Sequence, residues 1–274
     1  MRLRPLLNRG GSPVDSLKTL WGLGISLVLT VAVIPYPVMA LFAGSEDSHR
    51  LHDTVGALQY LPLWALPVLL FTLGHDRAGA WRLALATSLV MAGVGVWAGD
   101  LVPSLSWMPL TTLLVLWPRD VRWNPRRPSV PALAGAALAV WVAATVAPNL
   151  VRLQRMHMPD PHTARFHFSG TAAAYLALAA ASALVALWPV GTELRVTVAA
   201  SLITAGVANL VWPLQESSVD TSVALTLLAA AALLGVDVLF KRRRSLGRPP
   251  ATDDHSSPGT PYDGAAVGSS ARVT

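Results

Sequence analysis

Two hundred and seventy-four residues are enough for one or two domains, but 53% of them are hydrophobic and only 13% charged, against roughly 25% charged in a soluble domain. That balance excludes a soluble globular protein. The absence of cysteine excludes disulfides, iron–sulfur clusters, covalent c-type haem attachment, thiolate zinc sites and a cysteine nucleophile. The net charge of +6 comes from short basic clusters between long apolar stretches, which is the pattern of membrane flanks and not of a nucleic-acid-binding face.

A helix needs about 20 mostly apolar residues to cross the hydrocarbon core. Stretches of that kind, bounded by charge or by Pro and Gly, predict eight spans in chain order: Leu20–Ala43, Thr54–Gly74, Trp81–Ala98, Val102–Trp117, Val130–Val151, Ser169–Val190, Leu194–Trp212 and Thr221–Phe240. Only Gly99-Asp100-Leu101 separates the third from the fourth and Gly191-Thr192-Glu193 the sixth from the seventh, so both pairs are expected to be tight hairpins. The first span follows Arg2, Arg4 and Arg9 and reads as a retained signal-anchor. With the N-terminus inside, 16 basic residues fall in cytoplasmic segments and 4 in outer loops, which places both termini in the cytoplasm. The final segment, residues 245–274, is rich in Pro, Ser, Gly and Asp and is expected to be a disordered cytoplasmic tail. Lys241–Arg244 before it serves as a topology anchor or as a binder of anionic lipid.

The chain carries an internal repeat. Arg50-Leu51-His52 with Tyr60-Leu61 recurs as Arg165-Phe166-His167 with Tyr175-Leu176, and Ala86–Val94 recurs as Ala199–Val207. Arg82 and Arg195 lead the two third helices, and Pro35 and Pro148 close the two first ones, so that the offsets run from 113 to 115 residues. The expected architecture is therefore all-α and polytopic, with four-span repeats over residues 1–129 and 130–244. Four spans is an even number, so the two repeats are parallel, related by a pseudo-twofold axis along the membrane normal, with ligand sites favoured where the halves meet.

The Arg-x-His…Tyr element is the main candidate for chemistry. Eight residues put the tyrosine about 12 Å deeper than the histidine and within about 80° of the same helix face. Arg50, His52 and Tyr60 with Arg165, His167 and Tyr175 are the expected ligand-binding set. A helix N-terminus beside an arginine favours a carboxylate, a phosphate or an anionic head group. Asp53 is matched by Phe168, so the halves differ in charge. The competing account is interfacial anchoring by the same side chains.

Several other groups are open to two readings. The loop from Arg155 to His162 holds His and Met residues that suit copper, but without the i, i+4 spacing of a helical metal site, so a polar, proline-bent loop is the favoured account. His52 and His167 as a haem-ligating pair form the redox alternative. Asp237 lies one turn from Lys241, which implies a local ion pair. Gln59 and Asn209 are expected to hydrogen-bond between helices, and Gly95 and Gly99 to allow close packing. The chain has no G-x-S-x-G elbow, H-E-x-x-H, P-loop or dinucleotide fingerprint, so enzymatic activity is not expected.

The run Glu46-Asp47-Ser48-His49-Arg50-Leu51-His52-Asp53 to Gly56-Ala57, followed by an apolar span and Ala80-Trp81-Arg82-Leu83, resembles the bacterial multi-span membrane family called domain of unknown function 998. That resemblance implies an acidic outer loop leading into a histidine that opens a helix, and it brings no established activity. The usage of 19 Arg against 2 Lys goes with a high-GC bacterium. The sequence thus predicts a bacterial inner-membrane protein, with no required cofactor, partnered by the bilayer and by a small amphiphilic or anionic ligand taken from the outer face. A purely structural membrane partner without ligand is the remaining alternative.

Overall fold

A computed structural model describes residues 13–42, 49–99, 107–118, 124–125, 127–156, 167–215 and 217–246, the last six by backbone alone. All regular structure among these residues is helical: α1 (Pro13–Val33), α2 (Pro35–Phe42), α3 (Arg50–Tyr60), a π-turn (Leu61–Ala65), α4 (Leu66–Thr72), α5 (Arg77–Ala98), α6 (Trp107–Val115), α7 (Val130–Met156), α8 (His167–Leu187), α9 (Thr192–Val211) and α10 (Thr221–Leu246). Seven helical stretches are long and apolar enough to cross a membrane: Pro13–Phe42, Arg50–Thr72, Arg77–Ala98, Val130–Met156, His167–Leu187, Thr192–Val211 and Thr221–Phe240.

The expected fourth span, Val102–Trp117, is represented by α6. Its nine residues reach about 14 Å, less than half of a hydrocarbon core about 30 Å thick. Residues 102–106 lie outside the described residues. The first span divides at Ile34, because Pro35 and Pro37 have no N–H to offer the carbonyls one turn earlier, although Ile34 and Val38 still donate to Thr30 and Ile34.

Prolines shape the second span as well. Pro67 cannot donate to the carbonyl of Leu63, and the hydroxyl of Thr87 on α5 donates to it instead at 2.9 Å. The Trp64 indole N–H donates to Ser88 on the same helix at 2.8 Å. The span therefore bends through a π-turn without leaving that carbonyl unsatisfied. Gly74 then ends α4 with φ at 81°. The His75 and Gly74 amides return to Leu70 and Phe71, a close variant of the glycine-terminated Schellman end.

Helix α8 sits at the centre, packed against α3, α5, α7, α9 and the π-turn. Its interior positions are mostly alanines, among them Ala172, Ala174, Ala177 and Ala181. Ala132, Ala136, Ala139, Ala143 and Ala147 line the buried stripe of α7. Small side chains let the two backbones approach closely, the usual driving contact where lipid is as apolar as the helix surface. By contrast α1 leaves Leu17, Leu20, Leu27 and Val31 exposed, the apolar exterior that a bilayer covers.

Candidate functional site

Polar side chains concentrate at the two ends of the helix bundle. At one end the N-termini of α3 and α8 stand side by side, each capped by a glutamine from elsewhere. Gln215, in the α9–α10 connection, accepts from the Leu51 amide at 2.8 Å. Gln154, in the last turns of α7, accepts from the Ser169 amide at 3.2 Å. First-turn amides lack intrahelical partners, so each glutamine ties a helix start to a neighbouring element.

Between these starts lie three histidines. The ring centroids of His49 and His167 are 4.7 Å apart, those of His52 and His167 5.1 Å apart and edge-on, and those of His49 and His52 6.5 Å apart. Phe168 closes against His52 at 5.4 Å. Nδ1 of His52 is 3.3 Å from the Thr171 hydroxyl, which itself donates to the His167 carbonyl at 2.8 Å. With its proton spent there, Thr171 accepts from Nδ1–H, leaving Nε2 to accept from the Ser217 hydroxyl 3.3 Å away; this tautomer is assigned from the bonding partners. A hydroxyl–imidazole–hydroxyl order has the form of an activated nucleophile. Ser217 is only 1% exposed, however, so no face of it is open to a substrate.

The structure brings His52 and His167 together and adds His49. Arg50 opens α3 beside them and is half-buried, as is Tyr60 ten residues on. Arg165 lies outside the described residues, with most of the loop from Arg155 to His162. Arg155 itself is described, and its guanidinium donates to the carbonyl of Trp97. Tyr175 is engaged elsewhere. Its hydroxyl accepts from Asn209 Nδ2 at 2.6 Å, while Asn209 Oδ1 accepts from the Val219 amide at 3.0 Å, so the pair ties α8 to α9 and to the segment entering α10. The expected hydrogen bonding of Asn209 between helices is this contact. Gln59 likewise donates across to the Gly170 carbonyl at 3.0 Å.

Among the described residues no group of three His, Asp or Glu side chains is arranged to hold a metal ion. The edge-on contact of His52 and His167 leaves no gap for a macrocycle between their rings.

At the opposite end, sequence reasoning missed a polar chain that links the helices. Asp76 precedes α5 in a left-handed conformation, φ 38° and ψ 50°. Its carboxylate accepts from the Gly79 amide at 3.3 Å and from the Gly191 amide at 2.5 Å. Asp237, expected to pair with Lys241 along its own helix, where the side chain of Lys241 lies outside the described residues, pairs with Arg195 of α9 at 2.8 Å and accepts from Ser129 at 2.5 Å. Both members of the ion pair are buried. The available signal was their position: Arg195 leads a third helix, and an acid inside a span seeks a partner on another helix.

Comparison with protein-family models, curated proteins and solved structures finds no match to this chain.

Proposed function

We propose that the chain is a duplicated four-span protein of a bacterial inner membrane, with both termini cytoplasmic, which binds or passes a small anionic or amphiphilic molecule at its outer, histidine-bearing end. The observation that carries this reading is the meeting of equivalent positions. His52 and His167, 115 residues apart in sequence, touch at one end of the α3–α8 pair. Asp76 and Gly191, also 115 apart, touch at the other. Two copies of a unit related by a twofold axis make self-equivalent contacts on that axis.

Further pairs support the duplication. Gly22 and Gly135, 113 apart, have Leu116 just after α6 and Ala230 of α10, 114 apart, among their neighbours, although Gly22 lies closer still to Thr72 of α4. The short α6 then stands where α10 stands in the second half, and on this reading residues 102–117 complete an eighth span. The excess of basic residues on the Asp76 side supports a cytoplasmic location for that end.

Binding at the histidine end is supported by the two converging helix N-termini and by Arg50, which together bias the site toward negative charge. His52 and His167 then contact the ligand with Arg50, and Arg165 supplies a second positive charge. The test is native mass spectrometry of protein purified in mild detergent, with thermal shifts measured in inorganic phosphate, acetate and an anionic phospholipid. The expected result is a retained or stabilising anion that His52→Ala and His167→Ala both lose. Absence of any stabilising anion from the parent protein overturns the reading and leaves a structural partner without ligand.

The packing of the imidazoles does not favour the redox alternative, and an absorption spectrum with metal content tests it: a Soret band or stoichiometric metal, lost in both histidine variants, replaces the anion reading.

A further inference from the structure

The polar chain at the end opposite the histidines runs unbroken from one half to the other. Asp76 Oδ2 accepts from the Gly191 amide, and the Gly191 carbonyl accepts from the Arg195 amide at 3.2 Å. Arg195 Nε donates to the Val190 carbonyl at 2.9 Å, and the same guanidinium reaches Asp237. Asp237 receives the Ser129 hydroxyl, and Ser129 in turn accepts from the Ala132 amide in the first turn of α7 at 3.3 Å. Helices α5, α7, α9 and α10 are thereby joined through side chains and one short connection.

The link at Asp76 is built tightly and under strain. Among the described residues Asp76 is the only one other than glycine with positive φ, a conformation that costs about 1–3 kcal/mol and persists only where its surroundings enforce it. Glycines flank its carboxylate on both sides. A methyl on Gly79 would overlap the carboxylate, and one on Gly191 would approach Asp76 Oδ2 to 3.1 Å. Nothing about helix α5 requires this grip on the other half, because the Gly79 amide alone caps the helix.

We propose that Asp76 and the Gly191 amide form a latch that holds the cytoplasmic ends of the two halves together, and that its release opens this end of the protein while the histidine end stays closed. The proposal rests on the two-half reading above. Passage of a molecule between repeat halves requires one end to part while the other holds. Here the two ends differ in kind: the histidine end is held by several neutral hydrogen bonds, from Leu51 to Gln215, between His52 and Thr171 and Ser217 and from Gln59 to Gly170, the other by a charged acceptor on one backbone amide. The charge-assisted bond is stronger than any single one of these, but its loss alone frees its end.

The lack of native cysteine makes the test direct. Ala80, next to Gly79 on α5, and Ala172, near the histidines on α8, are both fully buried. Each is changed to cysteine in the full chain, and its labelling by a water-soluble maleimide is timed in detergent and in proteoliposomes. Asp76→Ala is expected to raise the labelling rate of Ala80→Cys about tenfold or more, the equivalent of losing one charge-assisted hydrogen bond, and to leave Ala172→Cys protected. Asp76→Asn keeps an acceptor and a residue tolerant of positive φ but gives up the charge, so it should raise the Ala80→Cys rate by a smaller factor than Asp76→Ala, as should Gly191→Ala. Unchanged protection of Ala80→Cys in Asp76→Ala overturns the latch, as does equal labelling of both cysteines, which reports general loosening. Neither readout depends on the identity of a ligand, so failure of the latch is distinguishable from failure of the anion-binding reading.

Discussion

The two spans that carry His52 and His167 near their starts bring these rings into contact, yet they are built differently. In the second half α8 runs straight from His167 to Leu187 on an alanine-rich sequence, buried along most of its length. In the first half the span from Arg50 to Thr72 contains Pro62 and Pro67, passes through a π-turn and borrows the hydroxyl of Thr87 to satisfy a carbonyl. The next helices along the chain, α5 and α9, differ in the same way. In the second half Gly206 lies so close to α10 that an added methyl would meet Leu228 at 2.8 Å and the Ala224 carbonyl at 3.0 Å; Gly93, 113 residues earlier, has nothing within 4 Å. The two regions thus rely on different devices: α9 and α10 are held by close backbone contact and a buried ion pair, whereas the Arg50–Thr72 span depends on side-chain repair of a bent helix.

Breaking the ion pair should produce the largest difference. Arg195→Met leaves Asp237 without its guanidinium, and loss of one partner of a buried pair costs about 3–5 kcal/mol. The double variant Arg195→Met, Asp237→Leu should recover most of that loss in thermal unfolding in detergent. A double variant as unstable as the single one would mean that the pair carries more than charge compensation.

Gly206→Ala comes next. Its methyl is aimed at a backbone carbonyl, which cannot turn aside as a flexible side chain can, and the expected loss is about 1–3 kcal/mol. Thr87→Val should cost about 1–2 kcal/mol, because it removes the donor to the Leu63 carbonyl in a buried setting. With Pro67→Ala in the same chain the restored amide can serve that carbonyl, so the cost of Thr87→Val should shrink. Additive effects of the two changes would contradict the repair role given to Thr87.

The smallest effect is expected at Gly93→Ala, which meets open space and gains helix propensity, a change of no more than about 1 kcal/mol in the stabilising direction. Measured beside Gly206→Ala, it tests the asymmetry of the halves directly. Equal losses at the two glycines would mean that Gly93 is covered after all.

Much of this architecture is legible in the sequence, because hydropathy is a local and nearly additive property. The seven span-length helices fall close to the expected stretches, and the Arg-x-His…Tyr match identified the two histidines that come into contact. Other features were not legible for particular reasons. The π-turn replaces a short part of a span whose hydropathy is the same in either helix type. Asp237 had Lys241 within one turn in sequence, and only the crossing of α9 with α10 showed that Arg195 reaches it. Tyr175 shares the spacing of Tyr60, but the approach of Asn209 turned its hydroxyl into a tie between helices.

Sequence by itself determined an all-helical chain with several helices long and apolar enough to cross a membrane, polar ends and an apolar exterior, since the balance of charge and the lengths of the apolar runs leave few other ways to satisfy the backbone in lipid. Only the tertiary structure decided which polar groups meet. Gln215 and Gln154 on the helix starts, Ser217 and Thr171 on His52, Ser129 and Arg195 on Asp237, and Gly191 on Asp76 are contacts between segments far apart in the chain. Their pairing depends on the distances and angles at which helices cross, and the small residues that permit those crossings look alike wherever they occur.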